Sequence, residues 1–307
     1  MRRVFAAACL CAVPALAIVT ADDPANHVVN AGSVFDGVGA LVSPLGNCTG
    51  TLLSTGIHVL TAAHCVTQSG TTTPFAASDI TIRFDLTGGA QTYTGATLYV
   101  NPGYVPLGPG YTSDLAILLL SSVVDPLAQR YELHSGPEVG TTYLVGYGRQ
   151  GTGASGSVPG TSGSVKRSGQ NEIEAIDSGA GLLLFDFDNG LNANNVFGSL
   201  GLGAANEVLT APGDSGGPAF IQTAGIYRIV GVNTVSGCPG PGVDIDATCD
   251  QSPAVTNNTF GEIGGAIRLS LHTDWVNSIV DVPEPSTLAL IGLGLLVTAL
   301  KLRDGRH

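Results

Sequence analysis

Apolar residues alternate with polar ones along several short stretches of the chain, which is the pattern of half-buried β-strands. The clearest case is residues 78–86, where every second residue is apolar: Ile80, Ile82, Phe84 and Leu86. Residues 115–120 form instead a continuous apolar run, which is typical of a strand buried on both faces. With similar runs at 37–44, 47–54, 59–63 and 93–100, these stretches predict a first barrel of short antiparallel strands within residues 22–135.

Residues 136–281 continue in the same way. Short apolar stretches at 141–149, 171–187, 218–223, 227–233 and 264–271 predict further strands. The apolar pattern changes only near the end of this region. There the spacing of Leu271, Trp275, Val276 and Ile279 would place them on one face of a helix. No alternation of strands and helices occurs, so the pattern predicts an all-β protein with one short C-terminal helix.

The segments at both ends of the chain resemble targeting signals rather than parts of this fold. Residues 1–21 resemble a secretory signal peptide, with Arg2 and Arg3 followed by an apolar stretch and with small residues that allow cleavage after Ala17 or after Ala21. At the other end, residues 282–307 combine Pro-Glu-Pro, an apolar run and basic residues. This combination resembles the PEP-CTERM sorting tail of Gram-negative bacteria. The resemblance implies transient anchoring in the inner membrane, removal of the tail by an exosortase-type transpeptidase, and release to the cell surface or medium.

The amino-acid composition and net charge argue against some classes of binding partner. Glycine occurs 43 times, only 12% of residues are charged, and the net charge is −12, which suits a loop-rich β protein. Between residues 22 and 281 there are 7 basic and 22 acidic residues, so 7 − 22 gives −15. A surface of this sign argues against nucleic acid or anionic lipid as a partner.

The most informative stretch is Gly213-Asp214-Ser215-Gly216-Gly217-Pro218. A serine hydroxyl becomes a nucleophile only when a base accepts its proton and hydrogen-bond donors await the oxyanion. His64, in Ala-Ala-His-Cys, is the candidate base. Asp114 is the candidate for orienting it, because an acid at the start of an apolar strand needs a polar partner.

The order His64, Asp114, Ser215 and the three motifs resemble the chymotrypsin-like (trypsin-like) serine endopeptidases over roughly residues 28–280. The resemblance implies two packed six-stranded antiparallel β-barrels, at 22–135 and 136–281. It also implies a catalytic triad of those three residues and an oxyanion hole made by the backbone N–H groups of Gly213 and Ser215. Peptide bonds would be cut through an acyl-enzyme without a metal or organic cofactor. A non-catalytic binding protein on the same scaffold is the competing interpretation.

The resemblance also assigns a specificity pocket and an activation contact. Leu209, six residues before Ser215, takes the position of the pocket base, and Thr234, Val235 and Ser236 take one wall. An uncharged base predicts cleavage after an apolar or small residue. Family members bury a new N-terminal amine against the acid that precedes the nucleophile, here Asp214. Cleavage by signal peptidase after Ala17 would place Ile18 in that role.

Four cysteines remain after the signal segment: Cys48, Cys65, Cys238 and Cys249. In an exported chain an even number predicts two disulfides, and four cysteines allow three pairings. The resemblance favours Cys48–Cys65, which leaves Cys238–Cys249. No metal site is expected at these cysteines.

One loop is rich in oxygen ligands. Asp186 and Asp188 are followed by Asn189, Gly190 and further asparagines. Such a segment is typical of a polar turn, and a calcium site near the two aspartates is the alternative, because calcium binds carboxylate and amide oxygens.

Overall fold

A computed structural model of the protein describes residues 18–106, 112–199, 201–202, 206–240, 242–252 and 254–281. All of its strands belong to one compact unit, residues 1–272, and its α-helix belongs to a second, residues 273–307. The signal segment up to Ala17 and the sorting tail from Val282 lie outside the described residues. Among the helices that the structure does describe, none is long and apolar enough to cross a membrane.

The described residues form seventeen strands and one α-helix, with short 3-10 turns between them. The strands are β1 (Val19–Thr20), β2 (Val38–Ser43), β3 (Gly46–Leu52), β4 (His58–Thr61), β5 (Thr81–Leu86), β6 (Gly89–Val100), β7 (Ala116–Leu120), β8 (Gly140–Gly146), β9 (Gly151–Thr152), β10 (Gly156–Ser157), β11 (Arg167–Ile173), β12 (Ala175–Asp177), β13 (Leu182–Asp186), β14 (Val208–Leu209), β15 (Pro218–Thr223), β16 (Ile226–Gly237) and β17 (Ile263–Arg268). The 3-10 turns are Pro24–His27, Ala63–Cys65, Ala77–Asp79, Asn192–Asn194 and Leu269–Leu271.

The first half of the chain closes into a six-stranded antiparallel barrel in the order β2-β3-β4-β7-β6-β5. Its interior is filled by the alternating residues of β5: Ile82 and Phe84 are fully buried and Leu86 nearly so. Strand β7 lies between β4 and β6 and buries almost every residue, which explains its continuous apolar sequence. The first predicted barrel is therefore confirmed.

The second half forms a seven-stranded antiparallel sheet in the order β11-β8-β15-β16-β17-β13-β12. Its two edge strands, β11 and β12, are consecutive in sequence and are interrupted only at Glu174, whose amide donates to the Leu184 carbonyl of β13. This segment pairs with β8 through β11 and with β13 through β12, so the sheet closes on itself and the second predicted barrel is confirmed as well. Close to this junction, the Asn171 amide donates to the carbonyls of Asp186 (2.7 Å) and Val208 (2.9 Å). One buried asparagine thus joins three segments of the second half.

A small sheet, β10-β9-β1-β14, carries the N-terminal segment onto the second half. Val19 pairs with Leu209 of β14 and with Gly151 of β9. The chain then continues along β11, where Val28 bridges Arg167 and His27 hydrogen-bonds the Ser168 carbonyl. Residues 18–29 therefore lie against the strands of the second half, although they precede the first barrel in sequence.

The α-helix, α1 (Thr273–Val280), confirms the predicted C-terminal helix. Asp274 lies in its first turn, where an acidic side chain interacts favourably with the helix dipole. Val276 is buried as the spacing predicts, but Leu271 precedes the helix in a 3-10 turn and is 56% exposed. The helix is therefore shorter than the predicted apolar face.

Candidate active site

His64 lies in the 3-10 turn that follows β4. Its main chain and its ring are both held by Asp114, whose Oδ1 accepts from the His64 amide at 2.8 Å and whose Oδ2 lies 2.6 Å from Nδ1. The imidazole is 23% exposed, whereas the Asp114 side chain is fully buried. This arrangement fixes the ring, and its other nitrogen, Nε2, lies 3.7 Å from Cys65 Sγ.

Asp114 stands just before β7, after Ser113, which adopts a positive φ of 50°. A third group satisfies its carboxylate, because the Thr234 hydroxyl donates a hydrogen bond to Oδ2. Thr234 is left out of the ladder by an irregularity of β16 between Asn233 and Val235. Bulges of this kind turn a side chain towards a new partner. The sequence predicts Thr234 only in the pocket wall, and nothing in its pattern indicates this contact.

Ser215 lies in a turn between β14 and β15, and two positions of this turn have backbone conformations that favour glycine. Gly213 and Gly216 have φ values of 104° and 82°. A Cβ on Gly216 would lie 2.1 Å from the Thr61 hydroxyl and 2.3 Å from the Thr49 carbonyl. The turn therefore packs directly against the end of β4, which brings Ser215 next to the turn that carries His64.

Thr49 of β3 connects the two halves at this turn. Its hydroxyl donates to the Gly213 carbonyl at 2.9 Å, and its amide donates to the Ser215 carbonyl at 2.9 Å. Its hydroxyl also accepts from the Tyr147 amide at 3.1 Å. The amides of Gly213 and Ser215 donate to no group among the described residues.

His64 and Ser215 line the same cavity of about 310 Å³. Most of its wall is formed by uncharged residues: Thr210, Ala211, Pro212, Asn233, Thr234, Val235, Ser236, Thr256 and Asn258. Three of the four predicted pocket residues, Thr234 to Ser236, are among them. Thr256 and Asn258 were missed, since nothing in their local sequence distinguishes them from an ordinary polar loop.

Leu209 does not line this cavity. It is fully buried in β14, pairs with Val19, and its Cδ1 would contact a Cβ placed on Gly264. Its side chain belongs to the core of the second half together with Phe185. The predicted pocket base therefore requires correction, because the next residue, Thr210, reaches the cavity instead.

Asp214 is completely buried, and the structure places Ile18 beside it. Its carboxylate accepts from the amides of Gly148 (2.7 Å) and Ala211 (2.9 Å), and the Ile18 amide also hydrogen-bonds it. Burial raises the pKa of Asp214 to about 7, against the opposing effect of these amides. Ile18 itself is fully buried and has a φ of 60°, which is an unusual conformation for a β-branched residue.

The cysteines form two disulfides, Cys48–Cys65 and Cys238–Cys249. The first joins β3 to the turn that carries His64, and the second closes the loop after β16. Two groups of residues with metal-binding atoms lie close together, namely Cys48 with His64 and Cys65, and Cys249 with Asp244 and Glu262. Because every cysteine in them is oxidised, neither group offers the thiolate that a metal would need.

Two family models match the chain. The PEP-CTERM protein-sorting motif matches residues 281–306, which indicates export and sorting through membrane anchoring and exosortase processing. The trypsin model matches residues 33–251, a stretch that contains His64, Asp114 and Ser215. No curated protein matches the chain. Because the trypsin model covers well over half of its length, the chain belongs to the trypsin family of serine proteases.

Proposed function

We propose that the chain is an exported serine endopeptidase with His64, Asp114 and Ser215 as its catalytic triad. The observation that carries this proposal is the double contact of Asp114 with the main chain and ring of His64, in a cavity that His64 shares with Ser215. This arrangement supports the proposal because it holds an imidazole where it can accept a proton from a serine hydroxyl.

The reaction proceeds in two halves. Ser215 Oγ attacks the scissile carbonyl, its proton moves to His64 Nε2, and the proton is then given to the leaving amine. A water molecule repeats the sequence on the acyl-enzyme and releases the acid. Asp114 keeps the Nδ1 proton on its own side and stabilises the imidazolium, and the amides of Gly213 and Ser215 stabilise the oxyanion, each worth roughly 3 kcal/mol.

The residue before the cut is proposed to be uncharged, and apolar or small. No carboxylate is among the described residues that line the cavity, and an unpaired Lys or Arg is costly to bury. Ala211 and Val235 supply the apolar contacts, and the hydroxyl and amide groups around them suit a small side chain. Leu209 has no part in this preference, because the fold places it in the core.

Activation is proposed to need no cut other than that of the signal peptide. Cleavage after Ala17 by signal peptidase would turn the Ile18 amide, which already contacts Asp214, into a charged amine. Cleavage after Ala21 would remove β1 and leave Asp214 without this partner. The sorting tail would then hold the active enzyme at the inner membrane of a Gram-negative cell until an exosortase-type transpeptidase releases it to the surface or medium.

A serine-directed fluorophosphonate probe tests the central proposal. Folded wild-type protein is expected to be labelled on Ser215, whereas Ser215→Ala protein is not, and His64→Ala protein reacts far more slowly because its serine lacks a base. A wild-type protein that folds, carries both disulfides and does not react would instead be the non-catalytic binding protein on a protease scaffold.

A further inference from the structure

The cavity at the catalytic serine has one buried end. Thr210 and Asn258 line it and are only 4% and 2% exposed. Pro212 and Thr256, each two residues away from one of them in the chain, line the same cavity but are exposed. Both segments therefore run from the mouth of the cavity to its buried end. The predicted pocket base, Leu209, is not part of this end, because its side chain packs in the core.

Side-chain hydrogen bonds join the walls of the cavity at this buried end. The Asn258 side-chain amide donates from Nδ2 to the Thr210 carbonyl at 2.9 Å. The Ser236 hydroxyl, from β16, donates to the same carbonyl at 3.0 Å. Three segments that line the cavity thus meet at one oxygen atom, and the Asn258 side chain connects the segment before β17 to the residue after β14.

The backbone around Asn258 is held by two buried acidic side chains. Glu262 is fully buried, and its two carboxylate oxygens accept from the amides of Asn257 at 2.8 Å and Asn258 at 3.0 Å. The next residue, Thr259, is also fully buried, and its hydroxyl donates to Asp244 at 2.8 Å. Asn258 therefore enters the cavity from a well-anchored stretch of backbone, and its side chain is a fixed part of the wall.

The backbone conformation of Asn258 separates the role of its side chain from that of the turn. Its φ is 68°, in the left-handed region, which glycine adopts without strain and asparagine adopts more readily than most other residues. Glycine at this position would keep the backbone conformation and would remove only the side chain that reaches Thr210. The asparagine therefore supplies a hydrogen-bonding side chain that the turn itself does not require.

We propose that Asn258 limits the size of the residue accepted before the cut, because its hydrogen bond to Thr210 closes the buried end of the cavity. The inference rests on the proposed protease function, and it narrows the preference from apolar or small residues to small ones. A large side chain, such as that of leucine or phenylalanine, would have to displace the Asn258 amide and break a buried hydrogen bond, which is unfavourable. A small side chain, such as that of alanine, leaves this bond intact.

The test compares kcat/KM for two peptides that differ only in the residue before the cut, which is alanine in one and phenylalanine in the other. We expect the wild-type enzyme to prefer alanine. Asn258→Gly should raise the ratio of kcat/KM for phenylalanine over alanine by about 10- to 200-fold, the range that one methylene group produces in an apolar pocket. We expect this variant to fold, because glycine suits the φ of 68° and Ser236 still donates to the Thr210 carbonyl.

Asn257→Gly is the matched control. It removes the same type of side chain from the neighbouring position of the same loop, but Asn257 is not among the residues that line the cavity. The ratio of kcat/KM for phenylalanine over alanine should therefore stay at the wild-type value. An equal rise in both variants would mean that a looser loop admits the large residue, and this result would overturn the proposal.

Two other results would also overturn the proposal: a wild-type enzyme that prefers phenylalanine, or a folded Asn258→Gly enzyme with an unchanged ratio. The first result needs no variant, so the test stays decisive even if Asn258→Gly does not fold, which thermal unfolding would show. Failure of the proposed function is distinguishable from both. In that case the folded wild-type protein would cleave neither peptide and would not react with the fluorophosphonate probe, and the inference would be refuted together with the function.

Discussion

The amine of Ile18 should control both the activity and the stability of the enzyme, and one added residue should be enough to show it. The comparison is between a chain that begins at Ile18 and a chain that begins at Ala17. In the first, the nitrogen beside Asp214 is a charged amine; in the second it is the neutral amide whose contact the structure contains. The two chains differ by one alanine and are otherwise identical.

The structure sets the size of the effect. With the amide, burial raises the pKa of Asp214 from 3.8 to about 7. At about 1.4 kcal/mol per pKa unit, ionising this carboxyl costs roughly 4 kcal/mol more than in water. The amide form also keeps Ile18 at a φ of 60°, a conformation that costs on the order of 1–3 kcal/mol. An N-terminal residue has no φ restraint, so cleavage before Ile18 removes this strain as well.

The pH dependence follows from the raised pKa. A carboxyl with a higher pKa in the folded state binds its proton more tightly there, so its folded form is favoured at low pH and loses stability as pH rises from about 4 to about 7. The Ala17 chain should show this loss, and the Ile18 chain should not, because its amine neutralises the carboxylate. The difference in Tm between the two chains should therefore grow by about 10 °C between pH 4 and pH 7.5.

Activity should separate the two chains further. Asp214 anchors the turn that presents the amides of Gly213 and Ser215, and loss of one oxyanion donor lowers kcat by about 10² to 10³. We expect the Ala17 chain to lose kcat/KM by that factor on a peptide substrate. Asp214→Asn should reduce the Ile18 chain to the same level and leave the Ala17 chain little changed. Equal kcat/KM for the two starting chains, or full activity in a chain that begins at Asp22, would refute the reasoning.

Three further predictions follow from the site. Thr234→Ala removes a hydrogen bond to the buried Asp114 and should lower kcat about tenfold; Thr234→Ser should restore it, and an unchanged kcat for Thr234→Ala would show that the contact has no role in turnover. Replacing Cys48 and Cys65 by serine should cost about 2–4 kcal/mol and lower activity, as denaturant unfolding and peptide hydrolysis would reveal, whereas retained stability would count against it. Profiling with a peptide library should show cleavage after small or apolar residues, and dominant cleavage after Arg or Lys would mean that a carboxylate reaches the pocket.

The sequence indicates candidate site residues most clearly where their chemistry is local. The glycines around Ser215 indicate a sharp turn, and Asp114, just before β7, indicates a nearby polar partner. Both signals can be seen in the residues next to the site itself. The strands are also predictable from local sequence. In β5, for example, the alternation that includes Ile82 and Phe84 shows which face of the strand is buried. Disulfide pairing and the register between the halves involve distant residues, so only the family resemblance could suggest them.

What the sequence did not predict depends on side-chain direction at irregular places. Leu209 and Thr210 are adjacent, and pairing of β14 with Val19 decides which of them faces the cavity. The alternation of apolar and polar residues does not predict the bulge at Thr234 either. This bulge turns the Thr234 hydroxyl towards Asp114. Asn258 reaches the cavity with a positive φ of 68° and donates to the Thr210 carbonyl, and nothing in its own sequence indicates that conformation.

The few basic residues show how the N-terminal segment reaches its site. Lys166 and Arg167 are both buried, and their side chains donate to backbone carbonyls of the segment after Ile18: Nζ to Phe35 at 2.9 Å, and Nε to Pro24 at 2.6 Å. A buried cation holds its acceptor firmly, since losing it would leave the charge unsatisfied. These two contacts fix the segment to the start of β11 and to the residue before it, whether or not Ile18 carries a free amine. Cleavage before Ile18 would therefore change the charge on one nitrogen that is already in place, and the proposed activation would require no refolding of the chain behind it.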